Sequence, residues 1–272
     1  SLWCILARLG PGAFETISGE VVNVSLLATT RGTPSRGEHF AAVDVQHHAG
    51  AVDKSGALSV DPISHVDQLR QLQNPKHVIV TARSSSGISL DSIADFCNGL
   101  CCGDQLRFVR MTWEVPTNDP DWAKLQSTIR ATSSFGGMEQ VFFWEDGEGS
   151  YREYVEARLG PERVNTWIRG QAAWSREGVL VSAMGSLPVA RYLGDLFDDN
   201  AVAVIPEDPE DLPALWAFMS SPSYCKSVRE IDRSMKVRGP LVRVPFDQDA
   251  WTAAAAEQYP NGLPEPQSDD PT

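Results

Sequence analysis

Two arginines and a tryptophan follow a tight turn in the middle of the chain, and their types and spacing favour one kind of chemistry. The turn contains Gly103 and Asp104, and Arg107, Arg110 and Trp113 come after it. A guanidinium matches the geometry of a phosphate, and an aromatic ring can stack on a base. The pattern therefore predicts recognition of a phosphate-bearing polymer in preference to acid–base catalysis.

Three further residues are secondary candidates for the same role. Trp174, like Trp144 and Trp167, could stack on a base, although most tryptophans belong to a protein core. Lys236 and Arg238 precede Gly239-Pro240 and could contact phosphates from a loop, with a solvated basic pair as the alternative.

A catalytic or metal centre is harder to find. The sequence contains no G-x-G-x-x-G, G-x-x-x-x-G-K-[ST], G-x-S-x-G or H-E-x-x-H motif. A thiol-dependent enzyme would have to use Cys102, which has no neighbouring His or Lys in sequence to lower its pKa. The five cysteines include a C-x3-C-C cluster, but His47 and His48 lie far upstream and no second ligand pair stands at zinc-site spacing. We therefore predict reduced, mostly buried thiols and no metal site.

The net charge of −13 over 272 residues comes from two segments. Seven acids and no Lys or Arg lie in Asp195–Asp211, and six acids and no Lys or Arg lie in residues 246–272. The rest of the chain is neutral on balance, so a local basic face remains compatible with the total. The first acidic segment could alternatively be a protein-docking surface or a DNA mimic.

Location is predicted from two absences in the sequence. No window approaches the roughly 18–20 apolar residues of a membrane span. The first residues lack a basic leader and a small-residue cleavage site, so we expect a cytoplasmic protein that does not bind a membrane.

Apolar periodicity predicts a mixed α/β (α+β) protein. Three strands are predicted within residues 1–45, and a linker is predicted over residues 47–61. Helices are predicted over Pro62–Gln73, Leu90–Asn98 and Trp122–Ile129, with a strand carrying the two arginines. Further along, strands are predicted at Val141–Trp144, Val202–Ile205 and Leu241–Val244, and helices at Tyr151–Leu159, Leu212–Ser220 and Pro222–Arg233.

The turn and its surroundings resemble the C-terminal part of large adenine-N6 DNA methyltransferases of the type IIG and phage-defence kind, including those of BREX and DISARM systems. Gly99–Val115 is similar to their motif G-x-x-T-G-D-N-x-R-F-x-R-x-x-W-E-V, with Cys102 and Gln105 where the family has Thr and Asn. Residues 12–27 resemble the last strands of the family's catalytic domain, and several segments between residues 174 and 272 resemble its target-recognition region.

The resemblance implies three parts. Residues 1–55 would be edge strands of a Rossmann-like methyltransferase sheet, residues 56–250 an α+β DNA target-recognition domain, and residues 251–272 an acidic, Pro-rich linker or tail. Double-stranded DNA would be the partner, together with a catalytic methyltransferase domain or other defence-system subunits.

The resemblance also implies where catalysis would occur. The family binds S-adenosylmethionine in a Gly-containing loop and flips adenine into an N-P-P-Y/F pocket. This sequence contains neither motif, so we expect that the chain alone binds no cofactor and transfers no methyl group. We also expect that the chain is a fragment or a split product of such an enzyme. S-adenosylmethionine is expected in the complete enzyme. A protein-interaction module of a defence complex is the alternative.

Overall fold

The computed structural model describes residues 1–14, 23–73, 79, 81, 88–232, 234–237 and 241–267. The chain divides into two compact units, Ser1–Ser85 and Ser86–Thr272. Each unit contains both strands and helices, which confirms the mixed α/β class. Within the described residues, no helix combines the length and the apolar character needed to cross a bilayer.

The first unit is built on a four-stranded sheet. Its elements in chain order are β1 (Leu2–Gly10), β2 (Val24–Thr30), β3 (His39–Asp44), α1 (Gly50–Ala57) and β4 (Ser64–Asp67). The strand order is β2-β1-β3-β4. Strands β1 and β3 are parallel, and the two outer pairs are antiparallel.

The two faces of this sheet bury different residues because side chains alternate along a strand. Leu6 packs with Phe40, Ala42 and Val66 in one cluster. The neighbouring Ala7 packs in the other cluster, where Ala57 of α1 joins Val43 and Val45 of the β3 region.

The described residues of the second unit form more elements and three sheets. In chain order they are β5 (Ile88–Ser89), β6 (Ala94–Asn98), α2 (Gln105–Phe108), β7 (Val109–Met111), β8 (Trp122–Gln126), β9 (Gln140–Phe143), α3 (Ser150–Leu159), β10 (Gly178–Ser182), β11 (Val189–Tyr192), β12 (Leu196–Phe197), β13 (Ala201–Pro206), α4 (Leu212–Met219), α5 (Pro222–Ile231), β14 (Pro245–Phe246) and α6 (Gln248–Gln258). The strand orders are β11-β10-β13-β6, β12-β8-β9-β7 and β14-β5.

The centre of the second unit is unusually apolar. Every residue of β10 and β13 is buried, and α4 is buried at every position but Pro213. A helix that is apolar on all sides must be covered on all sides. Helix α4 accordingly contacts β10, β13, α5 and α6.

Two segments predicted as helices are strands in this unit. The predicted helix Leu90–Asn98 is a 3-10 turn at Leu90–Ser92 followed by β6, which pairs antiparallel with β13. The predicted helix Trp122–Ile129 begins with β8, which lies between β9 and β12. In both places an available strand partner outweighs the local apolar spacing.

Other sequence predictions also needed correction. The predicted linker at residues 47–61 contains α1, and the predicted helix Pro62–Gln73 is β4 followed by a 3-10 helix at Arg70–Gln73. Leu241–Val244 is not a strand, although its Val242 and Val244 carbonyls accept hydrogen bonds from Asp91 and Leu90. The predicted strand at residues 77–82 lies largely outside the described residues.

Candidate nucleic-acid interface

The turn at Gly103 and Asp104 is held by hydrogen bonds on both sides. Before it, the Cys101 N–H donates to the Trp167 carbonyl at 2.9 Å, and the Tyr151 hydroxyl donates to the Cys101 carbonyl at 2.6 Å. After it, the Asp104 carboxylate accepts from the Arg107 N–H at 3.2 Å and caps α2. The turn therefore has a defined position against α3 and Trp167.

Arg107 and Arg110 do not lie together on one strand as predicted. Arg107 is on α2, and Arg110 is on β7. Nη1 of Arg110 donates to the carbonyls of Leu106 and Val109, each at 2.7 Å. The Arg110 guanidinium thus satisfies carbonyls at the C-terminal end of α2, where a cation is favourable.

The structure places Arg107 at one end of a row of cations and rings. The Arg107 guanidinium carbon lies 5.7 Å from the centre of the Tyr154 ring. The Tyr154 and Trp167 ring centres are 6.2 Å apart, and the Arg158 guanidinium carbon lies 5.7 Å from the Trp167 ring centre. We call Arg107, Tyr154, Trp167 and Arg158 the arginine–aromatic row.

The row is accessible, and its charges are not neutralised internally. Both arginines are exposed, and both rings are partly exposed. Among the described residues, neither guanidinium forms an ion pair with a carboxylate. Arg152, which lies on α3 with Arg158, differs because it pairs with Glu148 and Glu156. A free guanidinium beside an exposed ring can bind a phosphate while the ring stacks on a base or sugar.

Two members of the row were not singled out from the sequence. Tyr154 and Arg158 lie four residues apart on α3, a spacing that places them on the same face of a helix. This spacing was available as a sequence signal, because the helix itself was correctly predicted. Their proximity to Arg107 could not be predicted from the sequence, because it depends on how α3 packs beside α2.

A cleft of about 450 Å³ is lined in part by the residues of the turn. Its lining residues include Gly103, Asp104, Asp198 and Asp199. Asp198 is buried and accepts a 2.6 Å hydrogen bond from the Ser127 hydroxyl. The cleft is thus acidic where it meets the turn, and this charge disfavours phosphate binding inside it.

Lys236 lies beside the same acidic residues. Its Nζ is 3.3 Å from Asn200 Oδ1 and 3.8 Å from Asp199 Oδ2. Asp199 also lies 4.0 Å from the Arg169 guanidinium. The Lys236 charge is therefore partly compensated within the protein. Arg238 lies outside the described residues.

The two tryptophans of the predicted set occupy different environments. Trp113 is 73% exposed in a 3-10 turn at Thr112–Glu114. Trp174 packs edge-on against Trp144, with ring centres 5.5 Å apart, and contacts two hydrophobic clusters of the second unit. Trp113 is accessible to a ligand, whereas much of the Trp174 ring contacts protein.

The cysteine cluster has the properties of structural thiols. Burial raises the pKa of Cys102 to about 11. Burial also raises the pKa values of Cys97 and Cys101. Since the thiolate is the nucleophile, these shifts disfavour a thiol-dependent reaction near neutral pH.

The acidic segment Asp195–Asp211 does not form one continuous acidic surface. Asp195, Asp198 and Asp199 precede the buried strand β13, and the remaining acids follow it. Six residues of extended strand separate the two groups by roughly 20 Å. The seven acids therefore form two groups, one before β13 and one after it.

Comparison with known proteins finds distant likenesses among solved structures. No protein-family model matches the sequence, and no curated protein matches it. The fold is similar to the structure of the Type IIL restriction-modification enzyme MmeI in complex with DNA, at 9% identity and a TM-score of 0.39. The match covers 96% of this chain and 39% of that one, so the chain spans about two fifths of the MmeI chain.

Proposed function

We propose that the second unit, Ser86–Thr272, contains the DNA target-recognition part of a site-specific adenine-N6 DNA methyltransferase from a restriction-modification or phage-defence system. The observation that carries this proposal is the arginine–aromatic row, in which two guanidiniums have no carboxylate partner among the described residues and two rings are partly exposed. The motif resemblance over Gly99–Val115 supports the same assignment, because that motif contributes Arg107 and the turn against which Trp167 packs.

In this function the row binds the DNA backbone and positions the duplex. Arg107 and Arg158 each bind a phosphate, and Tyr154 and Trp167 contact the adjacent sugar or an unstacked base. The other sequence candidates are predicted to contribute less to DNA binding than the row: Gly103, Asp104, Arg110, Trp113, Trp174, Lys236 and Arg238. Adenine flipping and transfer of the methyl group from S-adenosylmethionine belong to a catalytic partner.

Binding of a random duplex pool tests the proposal. The chain is mixed with the pool at two salt concentrations, alone and with a candidate catalytic methyltransferase, and bound DNA is sequenced. We expect salt-dependent enrichment of one motif, because phosphate contacts release counterions and base contacts select sequence. Absence of binding in both states would favour the protein-interaction alternative.

Substitution of single arginines by glutamine tests which surface binds DNA. Arg107→Gln and Arg158→Gln should each weaken binding about 10-fold or more, which is the loss of one charge-assisted hydrogen-bonded contact. Arg152→Gln changes the net charge equally but removes a guanidinium that is already ion-paired, so it should change affinity less than 3-fold, or about 0.6 kcal/mol. Equal losses in all three variants would remove the row from the interface.

A further inference from the structure

Three side chains of types that can bind metals converge in the first unit, far in sequence from the arginine–aromatic row. His48 Nε2 lies 2.9 Å from Asp61 Oδ2, and His47 Nε2 lies 3.6 Å from the same oxygen. The two imidazole rings are 4.2 Å apart between centres. One ligand atom from each of the three residues falls within 4.8 Å of the others.

The fold explains why these residues meet. His47 and His48 occupy the turn that follows β3, whose end runs beside the end of the parallel strand β1. Asp61 follows α1, and its N–H donates to the Ala57 carbonyl at 2.8 Å. Helix α1 therefore folds the chain back and brings Asp61 to the histidines. The carboxyl ends of parallel strands are a common place for ligand sites.

A buried lysine fixes the turn from inside. Lys54 of α1 is 2% exposed, and its Nζ donates to the carbonyls of Val45 and Gln46, each at 3.3 Å. The His48 N–H adds a 3.2 Å bond to the Val45 carbonyl. These bonds hold the backbone immediately before both histidines, and such preorganisation is what a ligand site requires.

A hydrogen bond between His48 and Asp61 accounts for only part of this arrangement. It explains the 2.9 Å contact but not the position of His47, which is 65% exposed and yet directs Nε2 toward the same carboxylate oxygen. Two adjacent imidazoles facing one carboxylate form a two-nitrogen, one-oxygen donor set.

We propose that His47, His48 and Asp61 bind a divalent transition-metal ion of the Zn²⁺ class. Imidazole nitrogens favour such ions over Mg²⁺ and Ca²⁺, which prefer oxygen ligands. Around a tetrahedral ion with bonds of about 2.1 Å, donor atoms lie about 3.4 Å apart, so only small side-chain shifts are needed. Three protein ligands leave a position open for water or another ligand. This proposal does not depend on the DNA-binding assignment.

Titration of the metal-free chain with Co²⁺ tests the site. Co²⁺ is chosen because its spectrum distinguishes nitrogen and oxygen ligands from thiolates, and the chain contains the exposed Cys4. We expect one saturable site whose spectrum lacks thiolate-to-cobalt charge transfer, and a higher melting temperature with bound metal. Absence of a saturable site, or a thiolate spectrum alone, would overturn the proposal.

Single substitutions assign the ligands. His47→Ala, His48→Ala and Asp61→Asn should each weaken Co²⁺ binding by more than the roughly 10–100-fold that loss of an outer-shell partner costs. His65→Ala on β4 is the matched control, because His65 is also exposed and lies in the same unit. The exposure of His47 makes misfolding of His47→Ala an inadequate explanation for lost binding. Unchanged binding in His47→Ala, or equal weakening in His65→Ala, would contradict the assignment.

Discussion

At the residue scale, Gly103 is subject to two constraints. Its φ is +70°, and a Cβ at this position would lie 2.2 Å from Cζ3 of the Trp167 ring. A larger residue would therefore strain the turn and displace an aromatic member of the row. Gly185 shares the positive φ, at +62°, but has nothing within 4 Å of its Cβ position.

Alanine substitutions at Gly103 and Gly185 test whether the close approach of Gly103 to the Trp167 ring constrains the turn. Gly185→Ala should cost about 1 kcal/mol, the conformational penalty alone. Gly103→Ala should cost about 1–3 kcal/mol more, because it also overpacks against the ring. Urea unfolding followed by tryptophan fluorescence measures both costs. Equal costs would mean that Trp167 can move away freely.

At the element scale, the four-residue helix α2 depends on its caps. Asp104 caps one end, and Arg110 satisfies two carbonyls at the other. A helix this short has little stability of its own. The position of Arg107 in the row therefore depends on contacts that α2 makes with the residues before and after it.

Two substitutions at Asp104 separate its cap from its charge. Asp104→Ala removes the acceptor for the Arg107 N–H and should cost about 1 kcal/mol of stability while weakening DNA binding. Asp104→Asn keeps an acceptor and removes a negative charge near Arg107, so DNA binding should be unchanged or tighter. Stability is measured by urea unfolding and affinity by fluorescence anisotropy. Weaker binding in Asp104→Asn than in the parent protein, at unchanged stability, would make the charge itself a DNA-binding determinant.

At the scale of the whole molecule, local charge must act against a net charge of −13. Charges more than about 10 Å away are largely screened at 0.1 M salt. DNA binding should therefore reflect the arginines of the row more than the total charge.

The salt dependence of binding tests this statement. Each phosphate contact contributes about −0.9 to the slope of log K against log salt concentration. The Arg107→Gln/Arg158→Gln double variant should therefore have a slope smaller in magnitude by about 1.8, measured by anisotropy between about 50 and 200 mM salt. Arg152→Gln should leave the slope unchanged. A double variant with the parental slope would place the phosphate contacts elsewhere.

The sequence by itself determined the elements with strong, continuous local patterns. β1, β13, α3 and α4 were correctly predicted because their propensities and apolar runs allow few alternatives. The Gly103 turn was also recognisable, since Gly permits the positive φ and Asp104 is a favourable helix cap.

Tertiary structure decided the rest. The segments that became β6 and β8 have apolar spacings compatible with a helix, and they are strands because β13 and β9 offer them hydrogen-bonding partners. The arginine–aromatic row and the His47, His48 and Asp61 cluster join residues separated by up to 60 positions in the first case and 14 in the second. Such proximity is set by the packing of helices and turns against one another, and local sequence patterns carry no direct information about it.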